Sequence, residues 1–187
     1  MRNSKMSRVL VPLAQGCEEL EAITITDLLV RAGIEVTTAG LDDRPVTASR
    51  GTTIIPDTSI DTVLDQTFDL IVLPGGLPGA DHLRDSENIL TLLKNHADKG
   101  KFIGAICAAP KAVAAAGLLE GKKATAYPGT LEALGNEQIE VKDTAIEIDG
   151  KIVTSRGPGT AMDFALTLIE LLEGREKRDE VNRQLVR

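Results

Sequence analysis

Short apolar runs alternate along this chain with segments of helical period. Residues 8–14 form an apolar run that ends at Gln15-Gly16, the pattern of a buried parallel strand followed by a turn. In residues 18–32, Ile25, Leu28, Leu29 and Ala32 recur at i, i+3, i+4 and i+7, with Gly33 as the stop, which predicts an amphipathic helix. Residues 34–39 predict the second strand. Residues 46–48 and 53–55, on either side of Arg50-Gly51, predict a small hairpin set outside the main alternation. Residues 70–73 predict a buried strand stopped by Pro74-Gly75-Gly76, with His82 in a short polar loop beyond it. Asp85 or Ser86 caps a helix running to Lys99 that carries Ile89, Leu90, Leu93 and Ala97 inward, with His96 on the same face. Residues 102–106 are the next strand, 109–116 the next helix and 123–126 a further strand. Residues 145–149 and 152–155, joined by Asp149-Gly150, predict a second hairpin. Gly157-Pro158-Gly159 then leads into a helix with a Thr160-to-Asp163 capping pattern, and its apolar face is Ala161, Phe164, Ala165, Leu168 and Leu172. From Glu173 onward the chain reads as a charged final helix.

Repeated strand–helix units imply a mostly parallel sheet with helices on both faces. In such sheets ligands gather at the carboxyl ends of the strands. Three loops there are chemically loaded: residues 15–21, 74–79 and 107–110. There is no repeat and no linker, so residues 1–187 are expected to form one domain, with 1–7 a flexible extension.

Composition narrows the function classes. Apolar residues make up 42% of the chain but aromatics only 2%, so Leu, Ile, Val and Ala build the core and the lone Tyr127 stands out. A net charge of −7 disfavours stable binding to nucleic acid or an anionic membrane. No apolar stretch has the length of a membrane span, and residues 9–14 are too short for a signal-peptide core. Two cysteines, Cys17 and Cys107, are too few for a disulfide framework or a zinc cluster. A cytoplasmic protein with reduced thiols, no Cys17–Cys107 bridge, no metal and no cofactor is expected.

Cys107 falls between a buried strand and a helix. Ala105, Ala108 and Ala109 beside it are small enough for the sharp turn that exposes a nucleophile. A helix N-terminus favours thiolate, so a thiol pKa well below that of a free cysteine is expected. The alternative is a small buried hydrophobe. Glu21 lies four residues before Ile25, on the apolar face of its helix, where desolvation would raise its pKa and suit it to act as a proton donor or general acid. Glu18 and Glu19 are read as residues that favour the helix dipole, which is also the alternative for Glu21. The backbone amides of Gly76 and Ala108 are candidates to hold an oxyanion. Neither His82 nor His96 is next to the cysteine in sequence.

Four motifs then converge. Gly16-Cys17-Glu18-Glu19-Leu20-Glu21, Ile71-Val72-Leu73-Pro74-Gly75-Gly76, Ala105-Ile106-Cys107-Ala108-Ala109-Pro110 and Thr154-Ser155-Arg156-Gly157-Pro158-Gly159-Thr160 resemble signatures of the DJ-1/PfpI (ThiJ) superfamily. The likeness is to its DJ-1-like branch, nearest the bacterial ThiJ/YajL-like subgroup, and it covers nearly the whole chain in order. It implies a flavodoxin-like three-layer α/β sandwich of the class I glutamine amidotransferase type, and a homodimer. It also implies that Cys107 is the nucleophile or oxidation-sensitive thiol, with Glu21 hydrogen-bonded to it and Tyr127 and Gly157 in the pocket. Peptidase-like relatives place histidine directly after the nucleophile, whereas this chain has Ala108, which argues against PfpI-type proteolysis. DJ-1 has a histidine where this chain has Tyr127.

The resemblance therefore implies a stress-protection protein with glyoxalase- or deglycase-like activity. Its partners would be a small dicarbonyl such as methylglyoxal, or glycated protein. The competing expectation is a non-enzymatic redox sensor with chaperone behaviour that uses oxidation of Cys107. An amidotransferase-like hydrolase is the third.

Overall fold

The computed structural model describes residues 5–187; the expected extension at 1–7 lies partly outside them, at residues 1–4. Among the described residues there are eleven strands, seven in a central sheet and four in two small two-stranded sheets. In chain order the strands are β1 (Arg8–Leu13), β2 (Glu35–Gly40), β3 (Val46–Thr47), β4 (Thr53–Ile54), β5 (Thr58–Ser59), β6 (Leu70–Leu73), β7 (Phe102–Ile106), β8 (Lys123–Ala124), β9 (Glu140–Val141), β10 (Ile146–Asp149) and β11 (Ile152–Ser155). The main sheet runs β10-β11-β7-β6-β1-β2-β5, parallel throughout except for β10, which returns antiparallel along β11. The two small sheets are β3-β4 and β8-β9. The helices are α1 (Glu19–Arg31), α2 (Gly79–Asp85), α3 (Glu87–Asp98), α4 (Pro110–Ala115), α5 (Ala161–Glu173) and α6 (Arg175–Gln184). This is the flavodoxin-like arrangement expected.

The period of two along the strands divides the core into two layers. Val9, Val11 and Leu13 of β1 and Leu70 and Val72 of β6 face α1 and α5, where they meet Ile25, Leu29, Phe164 and Leu168. Leu10, Ile71, Leu73 and Ile103 face the opposite side and pack against Ile89 and Leu93 of α3 and Val113 of α4. Both faces of the sheet are thus buried, which is why its strands read as continuous apolar runs. No helix among the described residues is long and apolar enough to cross a membrane.

Several expectations are corrected. Residues 79–85 form α2 rather than a polar loop, so His82 is helical; Ala80 and Leu83, three apart, bury the inner face, and Pro78 begins the helix instead of breaking it. Ser86, not Asp85, caps α3, accepting from the Ile89 N–H at 3.4 Å. The strand at 123 ends at Ala124, and the two-residue strands β5 and β9 carry no apolar alternation that would announce them. The Thr160 cap does not form: its hydroxyl pairs with Ser155 Oγ at 2.7 Å and donates to the Gly157 carbonyl at 2.9 Å. The charged final helix is present as expected but begins at Arg175 rather than Glu173, after Gly174 at φ +91° ends α5.

Candidate active site

The loops at residues 15–21, 74–79 and 107–110 meet at the carboxyl edge of the sheet. The Glu18 N–H donates to the Gly75 carbonyl at 2.8 Å and the Gly79 N–H to the Gly16 carbonyl at 3.2 Å. Cys107 occupies the strand-to-helix turn with φ +63°, in the left-handed region that a side chain rarely adopts. Its N–H donates to the Ser155 carbonyl at 2.9 Å, and its carbonyl accepts from the Tyr127 N–H at 2.8 Å. These two bonds hold the strained residue between β11 and the segment after β8. Cys107 as a whole is 8% exposed.

Glu21 is fully buried one turn into α1. Its Oε1 accepts from the Gly75 N–H at 3.0 Å. Oε2 is buried without a conventional hydrogen-bond donor among the described residues, and the Cys107 thiol lies beside the same carboxyl group. Gly75 makes this approach possible. A Cβ there would sit 2.6 Å from the Cys107 Cβ and 2.8 Å from Glu21 Oε1. Gly76, at φ +88°, lies so close to the loop before α1 that a Cβ would come within 2.3 Å of the Glu18 nitrogen. The N–H groups of Gly76 and Ala108 are directed at the Cys107 sulfur.

The electrostatics correct one expectation. Burial first, then the negative charge of Glu21, pushes the Cys107 thiol up to about 12, while the Gly76 and Ala108 amides pull it down. Helix α4 is only six residues long and begins three residues after the thiol, so its dipole does not offset desolvation. Burial likewise raises Glu21 to about 7, opposed by the Gly75 amide and the Cys107 thiol. The two groups compete for one proton.

A pH dependence of stability follows. Below the ordinary carboxyl value of 4.5, Glu21 is neutral in folded and unfolded chains alike, and stability is undiminished. As pH rises from 4.5 to 7 the unfolded chain releases this proton and the folded chain does not, so stability falls, by about 3 kcal/mol in all. The unfolding free energy of wild type minus that of Glu21→Gln should therefore decline between those pH values. A difference that stays flat across them contradicts the raised pKa.

Cys107 opens onto a pocket of about 380 Å³ lined also by Glu18, Ser49, Arg50, Gly76, Leu77, Ala108, Lys111, Tyr127, Thr130 and Pro158. Of the residues expected from the sequence, Cys107, Gly76, Ala108 and Tyr127 line this pocket, and Glu21 sits beneath the thiol. Gly157 does not line it: Pro158 does, and Gly157 backs the Tyr127 ring at 3.6 Å, measured from the Cβ it would carry. Glu18 is more than a dipole residue, since Ser49 Oγ donates to its Oε2 at 3.1 Å and it forms part of the wall. Ser49 and Arg50 arrive on the β3–β4 hairpin, tied to the site by the Ser49 N–H donating to the Cys17 carbonyl at 2.8 Å. Lys111 was legible in principle, four residues beyond Cys107 and near the start of α4. Cys17 is a free, buried thiol raised to about 11, by burial first and then by Glu19 and Glu18. Among the described residues no group of His, Cys, Asp and Glu side chains is arranged to hold a metal ion.

The model of the DJ-1/PfpI family matches residues 7–171. Protein dj-1beta of Drosophila melanogaster is 46% identical over 178 residues, covering 95% of each chain. Its crystal structure superposes with a TM-score of 0.94 over 97% of this chain and 98% of that one, at 43% identity. DJ-1 homolog A of Arabidopsis thaliana is 45% identical over 93% of this chain, which spans 45% of that longer protein; its homolog B is likewise matched over 42% of its length. The glutathione-independent glyoxalase DJR-1.2 of Caenorhabditis elegans is 36% identical over 99% of this chain and 98% of its own.

Proposed function

Because the chain belongs to the DJ-1/PfpI family, we propose that it is a glutathione-independent glyoxalase that converts 2-oxoaldehydes such as methylglyoxal to 2-hydroxy acids on Cys107. The observation that carries this reading is the buried Cys107–Glu21 pair, with two backbone N–H groups aimed at the sulfur and a pocket open above it. Glu21 takes the thiol proton as the sulfur adds to the aldehyde carbon, forming the C–S bond of a hemithioacetal. The developing oxyanion lies against the Gly76 and Ala108 amides until Glu21 returns the proton to it. The Glu21 carboxylate then removes the hydrogen of C1, giving an enediolate, and a proton delivered to C2 leaves a 2-hydroxy thioester of Cys107. Water cleaves the thioester to lactate and restores the thiol. The sum is methylglyoxal plus water to lactic acid. The addition and the isomerisation each use Glu21 as a base and then as an acid, for which a pKa near 7 is suited. Tyr127 supplies a hydroxyl donor on the pocket wall. Early adducts of the same dicarbonyls on protein amines or thiols present the same reacting carbons, and a deglycase activity would use the same steps.

The test is glutathione-free conversion of methylglyoxal. One lactate should appear per methylglyoxal consumed, at a rate proportional to protein. Consumption without lactate would remove the proposal.

The lone Glu21 Oε2 favours a second reading, in which two equivalents of peroxide take the thiol to sulfinate with release of two waters. A protonated Glu21 would hold the sulfinate oxygen. Mass spectrometry after graded peroxide should find Cys107, not Cys17, carrying the two oxygens.

The chain is further proposed to act as a homodimer. Leu20, Ile23 and Val30 project from α1 at i, i+3 and i+10, all about half exposed, in a row that a second copy would cover. Light scattering should give a dimer mass for wild type and a monomer for Ile23→Asp. A wild-type monomer would defeat this assignment.

A further inference from the structure

The pocket above Cys107 differs in charge from the rest of a protein whose net charge is −7. Two cations line it, Arg50 from the β3–β4 hairpin and Lys111 from α4. Lys111 is held in place: its side chain is only 16% exposed and its Nζ donates to Asp81 Oδ1 at 2.9 Å, with Asp81 itself outside the pocket lining. The Arg50 guanidinium makes only one long ion pair, Nε to Glu18 Oε2 at 3.9 Å, with its side chain 79% exposed, while its backbone N–H donates to Glu19 Oε1 at 3.0 Å. Glu18 is the one acid on the wall, and its Oε2 already accepts from Ser49. A small neutral substrate such as methylglyoxal uses none of this charge.

We propose that Lys111 and Arg50 form a subsite for the carboxylate of the substrate, so that the pocket favours aldehydes carrying a terminal monoanionic group. This deepens the proposed function and rests on addition of Cys107 to aldehydes, though not on completed turnover. A monoanion fits better than a dianion. Asp81 and Glu18 already offset part of the cationic charge, and about 380 Å³ holds a chain of four or five carbons with its head on Cys107 and its tail at the rim. A lysine held by Asp81 supplies the charge, and the exposed Arg50 guanidinium offers the carboxylate a bidentate pair.

The experiment compares two aldehydes as reversible shields of Cys107 against iodoacetamide, with the modified residue identified by mass spectrometry. Each aldehyde blocks the thiol by forming a hemithioacetal; 4-oxobutanoate carries the carboxylate and butanal does not. In wild type, 4-oxobutanoate should half-protect Cys107 at a concentration roughly tenfold lower than butanal, the size of one charge-assisted hydrogen bond. That ratio should collapse toward one in Lys111→Met and in Arg50→Gln, and return in Lys111→Arg. Glyceraldehyde 3-phosphate, a dianion, should shield no better than 4-oxobutanoate. Equal protection by the two aldehydes, no protection by either, superior shielding by the dianion, or a preference that survives in Lys111→Met overturns the subsite. A turnover arm separates this failure from failure of the glyoxalase reading: 4,5-dioxopentanoate should yield 2-hydroxyglutarate with a higher kcat/KM than 2-oxopentanal yields 2-hydroxypentanoate. Turnover of both without preference removes the subsite and leaves the glyoxalase. Selective shielding without any hydroxy acid leaves the subsite and removes the glyoxalase.

Discussion

Glu21→Gln is expected to lower lactate formation from methylglyoxal by at least ~100-fold, the usual cost of losing a positioned proton-transfer group. Glutamine fills the same buried space and its amide oxygen can still accept from the Gly75 N–H, so the fold is kept. What it cannot do is take the C1 hydrogen and return a proton to C2. The loss should therefore fall on kcat with little change in KM. Cys107 should remain oxidisable by peroxide in this variant but hold sulfinate less well, because an amide is a weaker donor than a carboxylic acid. Glu21→Asp keeps the acid but withdraws it by one methylene from the sulfur, and should disturb both turnover and oxidation product. If turnover in Glu21→Gln matches wild type, the carboxylate is a buried structural group and the proton path assigned to it is wrong.

Gly75→Ala should lower activity by about 100-fold through geometry alone. The added methyl would meet the Cys107 Cβ at 2.6 Å and, at 2.8 Å, both Glu21 Oε1 and the Ile106 carbonyl. The Cys107 Cβ and the Ile106 carbonyl are not the free ends of flexible side chains, so Gly75 and Cys107 must separate, and a misplacement of about 1 Å at a reacting centre can cost ~100-fold in rate. Overpacking should also destabilise the fold by about 1–3 kcal/mol. Gly159→Ala is the control, since nothing lies within 4 Å of the Cβ it would gain. Thermal melts and lactate assays on the pair check both effects. Unchanged activity in Gly75→Ala would mean that contact between thiol and acid is not needed.

Much of this was legible in the sequence because the determinants are local. The apolar run of β7, the small residues around Cys107 and the acid at an inward position of α1 each announce themselves within a few residues. What was hidden is non-local. Ser49 and Arg50 reach the pocket only because a hairpin outside the main sheet folds back onto residues 16–17, and no periodicity encodes that docking. Helix α2 escapes the sequence pattern because Pro78-Gly79 reads as punctuation, although Pro78 stands at the N-cap just before the helix, where its missing N–H removes no helical hydrogen bond. The thiol's pKa went astray for an energetic reason: the helix after Cys107 was visible, but the burial that outweighs its dipole depends on the packing of three loops.

The central claim is that Cys107 is the atom-bearing nucleophile. The direct measurement is glutathione-free lactate production by wild type and by Cys107→Ala, with folding of both verified by their melting curves. The account predicts proportional lactate formation in wild type and none above the uncatalysed rate in Cys107→Ala. Lactate formed by Cys107→Ala at the wild-type rate would contradict it.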